Sequence, residues 1–160
     1  MDLMSPVESM MLLAESPGHP MHVAGLQLFQ APAGAGPEFV RDYYQALRTR
    51  DDVAPLFGKR PAALPAGLNL GWSDVTDIDL DYHVRHSALP RPGRVRELLE
   101  LTSRLHSGML DRHRPLWETH VIEGLSDGQF AVYTKIHHAL VDGVSAIKPS
   151  AGVAQCGSAR

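Results

Sequence analysis

Cys156 is the only cysteine in the chain, which excludes an intramolecular disulfide framework and any cysteine-based zinc site. A reducing compartment is the default for such a chain, and the expected location is cytoplasmic. No apolar run approaches the roughly 20 residues that a membrane-spanning helix needs. The opening stretch MDLMSPVESMMLLAESPGHP carries Asp2, Glu8 and Glu15 but no basic segment, so it does not read as a signal peptide. Runs of like charge are missing too. With a formal net charge of −3, a nucleic-acid partner finds no electrostatic footprint. No Gly-x-Ser-x-Gly elbow marks a serine hydrolase, and no glycine-rich loop follows a strand to cradle phosphate.

What is present is a globular composition, 44% apolar and 21% charged over 160 residues, enough for one domain or part of a larger one. Ser5, Pro6 and Glu8 form a capping-box pattern that starts a short helix through SMMLLAE. MHVAGLQLFQ follows as a strand. Pro37 then opens a helix with Phe39, Val40, Tyr43, Tyr44 and Leu47 at helical spacing. From Asp51 to Leu68 the chain is proline-rich and reads as irregular. NLGWSDV and DLDYHVRHS read as strands, the second from the alternation of Leu80, Tyr82 and Val84. A helix is expected from about Arg94 to Leu110, with Leu98, Leu101, Leu105 and Met109 as its apolar stripe. The last third reads as a β-hairpin, LWETHVIEGL and QFAVYTKIHH joined at Ser126-Asp127-Gly128. The mixed order gives an α+β or mixed α/β fold over residues 1–147. Residues 148–160, KPSAGVAQCGSAR, read as a divergent, loosely ordered tail.

The stretch KIHHALVDGVSAI, Lys135 to Ile147, concentrates the chemistry. If the strand runs extended through residue 138, His138 shares a face with Phe130, Val132, Thr134 and Ile136, and His137 with Ala131, Tyr133 and Lys135. The pair then divides its labour. His138 is placed on the more apolar face, where burial favours a neutral imidazole suited to act as a general base. Asp142 is open to two roles, orienting the imidazole or capping the following helix, and Gly143 allows a tight turn. Against this stands the ordinary reading, in which a histidine at a strand end is packing or surface and Asp-Gly is a common turn. No metal is expected, because opposite faces separate the two histidines. Ser145 lies close by, but a nucleophile requires a hydrogen bond to a base.

HHALVDG, His137 to Gly143, resembles the HHxxxDG signature of CoA-dependent acyltransferases, which chloramphenicol acetyltransferase, carnitine acyltransferases and peptide-synthetase condensation domains share. Four further stretches fall in the matching order: MSPVESMMLLAESPGHPMHVAGLQLF, DYHVRHSALPRPG, HSGMLDRHRPLWETHVIEGL and YTKIHHALVDGVSA. Together they resemble the bacterial wax ester synthase/diacylglycerol acyltransferase family, of the type abundant in mycobacteria, from residue 1 to about 147. Glu8 and Ala24 stand where that family often has Asp and Gly.

The resemblance implies the N-terminal half of a chloramphenicol acetyltransferase-like fold. It implies transfer of a fatty acyl group from acyl-CoA, as co-substrate, to diacylglycerol or a long-chain alcohol, with no bound cofactor. By the family pattern His138 is the general base, and His137, Asp142 and Gly143 are supporting residues of the motif. Pro115, Leu116, Trp117 and Glu118 match a second family segment and are expected to support the fold beside the site. The water-insoluble acceptors imply peripheral contact with the inner face of the cell membrane or a lipid droplet. Family members are about three times as long, so residues 1–147 are expected to lack a C-terminal half, or to associate with themselves in its place. Two alternatives stay open: a catalytically inactive remnant or lipid-surface binding module, and a condensation-type amide-forming domain.

Overall fold

A computed structural model of the chain describes residues 2–50, 52–63 and 69–141. The expected boundary at residue 147 and the tail lie outside them. The chain opens with a two-residue strand, β1 (Asp2–Leu3), and a helix, α1 (Pro6–Ala14). The capping box forms as expected: Glu8 N–H donates to Ser5 Oγ at 3.2 Å, and Ser5 N–H donates to the Glu8 carboxylate at 2.5 Å. Strand β2 (His22–Gln30) and helix α2 (Phe39–Arg48) follow, then a 3-10 turn (Pro55–Gly58), β3 (Lys59–Ala63) and β4 (Asn69–Asp74). The one-turn helix α3 (Leu80–His83) leads into β5 (Val84–Ala88) and the helix α4 (Val95–Ser107). The hairpin β6 (Trp117–Glu123) and β7 (Gln129–His137) turns through Ser126–Gly128, and a 3-10 turn (His138–Leu140) continues from β7.

Among the described residues seven strands make two sheets, β1-β4-β3 and β2-β7-β6-β5, so the fold is mixed α/β. In the larger sheet β7 is flanked by antiparallel β2 and β6, and β5 joins β6 in parallel. Strand alternation gives this sheet two covered faces. On one, the α2 stripe of Phe39, Val40, Tyr43, Tyr44 and Leu47 packs on Val121, Phe130 and Val132. On the other, Leu98, Leu101 and Leu105 of α4 pack on Ile122, Ala131 and Tyr133. A third cluster joins α1, the small sheet and the chain after β7, through Leu12, Trp72, Leu110, Leu116, Ala139 and Leu140.

Three local expectations change. The stretch assigned as irregular contains β3, with Pro61 opposite Trp72; β3 is an edge strand, where the missing N–H of proline is tolerated. DLDYHVRHS begins as a helical turn and not as a strand, because Asp79 accepts from Tyr82 N–H at 3.1 Å and caps it. As a result His83, 1% exposed, is the enclosed residue there, in place of Tyr82. Helix α4 stops at Ser107, so Met109 leaves its stripe and is exposed, while Leu110 turns into the third cluster.

Candidate active site

His137 closes β7 and His138 opens the turn after it, so the strand ends one residue earlier than the alternation argument assumes. Their backbones are held from opposite sides. His137 N–H donates to Leu116 O at 3.0 Å, and His138 N–H donates to Met21 O at 2.8 Å. Their side chains also diverge in burial. His137 is 0% exposed and His138 is half-buried. The enclosed member is therefore His137, contrary to the expectation that placed His138 on the covered face. The error has a physical source. Lys135 and Tyr133 make the His137 face look polar in sequence, yet both are buried beside α4.

His137 is enclosed as a neutral ring. Burial pushes it down to about 4, with the Arg112 charge adding to burial and Glu15 opposing it. Its Nδ1 accepts from Ala139 N–H at 3.0 Å, so the ring proton belongs on Nε2. That nitrogen lies 3.3 Å from Glu15 Oε1 without hydrogen-bond alignment, and is otherwise unpartnered among the described residues. Glu15, at the C-terminal end of α1, has a fully buried side chain. Arg112 donates to its Oε2 at 2.9 Å and to Leu12 O at 2.5 Å, and Met21 N–H donates to its Oε1 at 3.2 Å. Neither Glu15 nor Arg112 stands out in sequence as a site residue. Nothing in their spacing links positions 15, 112 and 137: Glu15 follows the apolar run MMLLA, and Arg112 stands among other charged and polar residues, Asp111, His113 and Arg114.

A second buried polar group extends beneath α4. Lys135, 1% exposed, donates from Nζ to Leu105 O at 2.7 Å and Gly108 O at 2.9 Å, and pairs with Glu118 at 2.6 Å. Burial alone would raise the Glu118 carboxyl. The neighbouring His120 and Lys135 outweigh it and hold the group at about 2. His120 Nε2 is 3.9 Å away, beyond hydrogen-bond range, so Lys135 carries most of that effect. His22, opposite His137 on β2, meets His106 O through Nε2 at 2.7 Å, and burial lowers its pKa. His106 Nδ1 in turn lies 2.9 Å from the Tyr133 hydroxyl.

The second segment singled out in sequence packs against the pair. Pro115 and Leu116 are buried, and Leu116 supplies the carbonyl that receives His137 N–H. Trp117 donates from Nε1 to Phe57 O at 2.9 Å and stacks on His83 with centroids 4.5 Å apart. Glu118 is the partner of Lys135 just described. Asp142, Gly143 and Ser145 fall outside the described residues. Among the described residues no cluster of histidine, cysteine and carboxylate side chains is arranged to hold a metal ion, and no helix is long and apolar enough to cross a membrane.

Chemically, the two histidines offer different things. His137 has one nitrogen committed to Ala139 and the other facing a carboxylate in an enclosed space, so no outside hydroxyl reaches it. The half-buried His138 imidazole has no hydrogen-bond partner among the described residues. Among the described residues it is the member of the pair whose ring is not tied up by a neighbour.

Residues 4–155 match the wax ester synthase/diacylglycerol acyltransferase catalytic domain. A Mycobacterium tuberculosis protein provisionally named a diacylglycerol O-acyltransferase is 67% identical over 145 residues, covering 90% of this chain and 32% of that protein. A second from the same organism, with the same provisional activity in its name, is 63% identical over 149 residues and is covered to 33%. The chain thus spans about a third of the length of these relatives. Among solved structures, the wax ester synthase/diacylglycerol acyltransferase from Marinobacter aquaeolei VT8 superposes with a TM-score of 0.83 at 46% identity, over 90% of this chain and 36% of that one. The starter condensation domain of rhizomide synthetase superposes with a TM-score of 0.62 at 14% identity, over 89% of this chain and 33% of that one, a likeness of fold alone.

Proposed function

This chain belongs to the wax ester synthase/diacylglycerol acyltransferase family, and on that premise we propose that it carries the general base of an O-acyltransferase, His138. The observation that supports it most is the asymmetry of the pair: His137 is sealed and tied at Nδ1, while the His138 ring is half-buried and unpartnered among the described residues. The co-substrate is an acyl-CoA and the acceptor is the hydroxyl of diacylglycerol or a long-chain alcohol. His138 takes the hydroxyl proton as the oxygen attacks the thioester carbonyl. The tetrahedral intermediate collapses with loss of the CoA thiolate, which recovers the proton from the imidazolium. The new ester and free CoA leave, and no acyl group passes through the protein. Asp142 and Gly143 complete the motif as supporting residues, and Pro115 to Glu118 support the end of β7, from which the pair projects.

The test is acyl transfer from a radiolabelled long-chain acyl-CoA to diacylglycerol and to hexadecanol, using the purified chain beside His138→Ala. Loss of product by roughly 100-fold or more in the variant is expected for a general base. Equal product from both would remove the assignment. A second reading, a non-catalytic lipid-surface module, draws on Leu3, Val7, Met10 and Leu13, exposed along and beside α1. Vesicle co-sedimentation without turnover in either protein would favour it.

A further inference from the structure

We propose that Glu15, backed by Arg112, is the positioning residue of the histidine pair: its carboxylate sets the proton on His137 Nε2 and thereby fixes the main chain on both sides of His138. As a statement about catalysis this rests on His138 being the base. As a statement about His137 it does not.

The argument begins with a carboxylate in an unfavourable place. Glu15 caps the C-terminal end of α1, where the helix dipole disfavours negative charge, and its side chain is completely buried. A buried anion persists only when it is paired and hydrogen-bonded. Arg112 supplies the pairing through Nη2 at 2.9 Å and Nε at 3.3 Å, and Met21 N–H satisfies Oε1 at 3.2 Å. Oε1 also lies 3.3 Å from His137 Nε2, close enough for its charge to favour a proton there although the two are not aligned as a hydrogen bond. Local helix capping explains none of this, since α1 would end better without the charge.

Two connections then run from Glu15 to His138. The first passes through the His137 ring. A proton on Nε2 leaves Nδ1 bare, and bare Nδ1 receives the N–H of Ala139, the residue immediately after His138. The second passes through Met21, which donates its N–H to Glu15 and accepts the His138 N–H on its carbonyl at 2.8 Å. The peptide groups before and after His138 are both fixed by contacts that trace to one carboxylate. Arg112 holds that carboxylate against α1 by donating also to Leu12 O. A structural ion pair would need only Arg112 and Glu15. The placement of Met21 and of the His137 ring gives the pair something to position.

Glu15→Gln separates charge from shape. The guanidinium claims the amide oxygen, which turns the amide NH2 toward His137 Nε2 and removes the reason for a proton there. Ring-nitrogen NMR of histidine-labelled chain at pH 7 reads this directly. Wild type is expected to show His137 as a single Nε2–H tautomer. Glu15→Gln and Glu15→Ala are expected to lose that tautomer and to shift the His138 ring signals, whereas Arg112→Lys, which keeps the charge, retains the wild-type pattern. A wild-type ring protonated at Nδ1 overturns the proposal. So do folded Glu15 variants with both histidines unchanged. Where wild type turns over acyl-CoA, Glu15→Gln is expected to lower kcat by ~10-fold or more with the KM for acyl-CoA within about twofold. A wild type without turnover defeats the acyltransferase reading of this chain and leaves the NMR result to decide the role of Glu15.

Discussion

Gly93 has φ +74°, and a methyl group built on it would lie 1.9 Å from the Gly124 carbonyl oxygen. The backbones approach this closely because Gly93 O receives Ser126 N–H at 2.8 Å, tying the loop before α4 to the β6–β7 turn. Neither the conformation nor the gap admits a side chain, and Gly93→Ala is expected to cost about 3 kcal/mol, read as a lower urea midpoint at unchanged slope. The glycine itself is legible in ALPRPG as a turn. Its partner, Gly124, is not, since only the folded structure brings the two together. The histidine pair shows the same limit. Strand alternation separates His137 from His138, but which face is sealed depends on α1, α4 and the Glu15–Arg112 pair. Residue types on β7 alone mislead, because a buried Lys135 looks like a solvent-facing one until Glu118 is placed opposite it.

Helix α4 shows what elements require of one another. Its last carbonyls would be orphaned where it meets the sheet, and Lys135 Nζ caps two of the groups at that end from the strand below. Lys135→Met removes that cap and strands the Glu118 carboxylate in a buried site. A loss of about 3–5 kcal/mol in chemical denaturation is expected, with part of it recovered in the double variant with Glu118→Gln. Had the pair been an exposed ornament, the double variant would show no coupling. Elements with a strong period, α2, α4, β2 and the β6–β7 hairpin, are all legible in the sequence. Those missed are short and depend on neighbours: β3 has Pro61 and counts as a strand only at the edge beside β4, and α3 is one capped turn that overrides an alternating pattern.

At the scale of the whole molecule, buried neutral histidines link stability to pH. His22, His83 and His137 all have pKa values lowered first by burial, His137 to about 4. The unfolded chain binds protons near pH 6.5 and the folded one does not, so these groups favour folding fully above 6.5. Their contribution is lost as pH falls toward the folded values. Each histidine removes up to about 1.4 kcal/mol per pH unit in that window. Glu118, held at about 2, works in the same direction lower down, favouring the fold above its unfolded value near 4.5 and losing effect as pH falls toward 2. Urea midpoints measured from pH 8 to pH 4 are expected to be flat at first and to drop steeply below 6.5. A midpoint that stays level to pH 5 would mean the histidines are not sealed. Mixed α/β class and the hairpin that carries the pair are legible at this scale. Sheet order is not, since nothing local tells β2 to pair with β7.

That order also sets a schedule for synthesis. Strand β2 is made about a hundred residues before β7, its one sheet partner among the described residues. The hairpin β6–β7 forms from local contacts and then captures β2 at a long loop-closure cost, a slow step by topology. The strand that completes the sheet is the one that ends in His137. A nascent chain that has not yet folded its centre therefore cannot hold the histidine pair in place, and the geometry around it waits on the last-made strand.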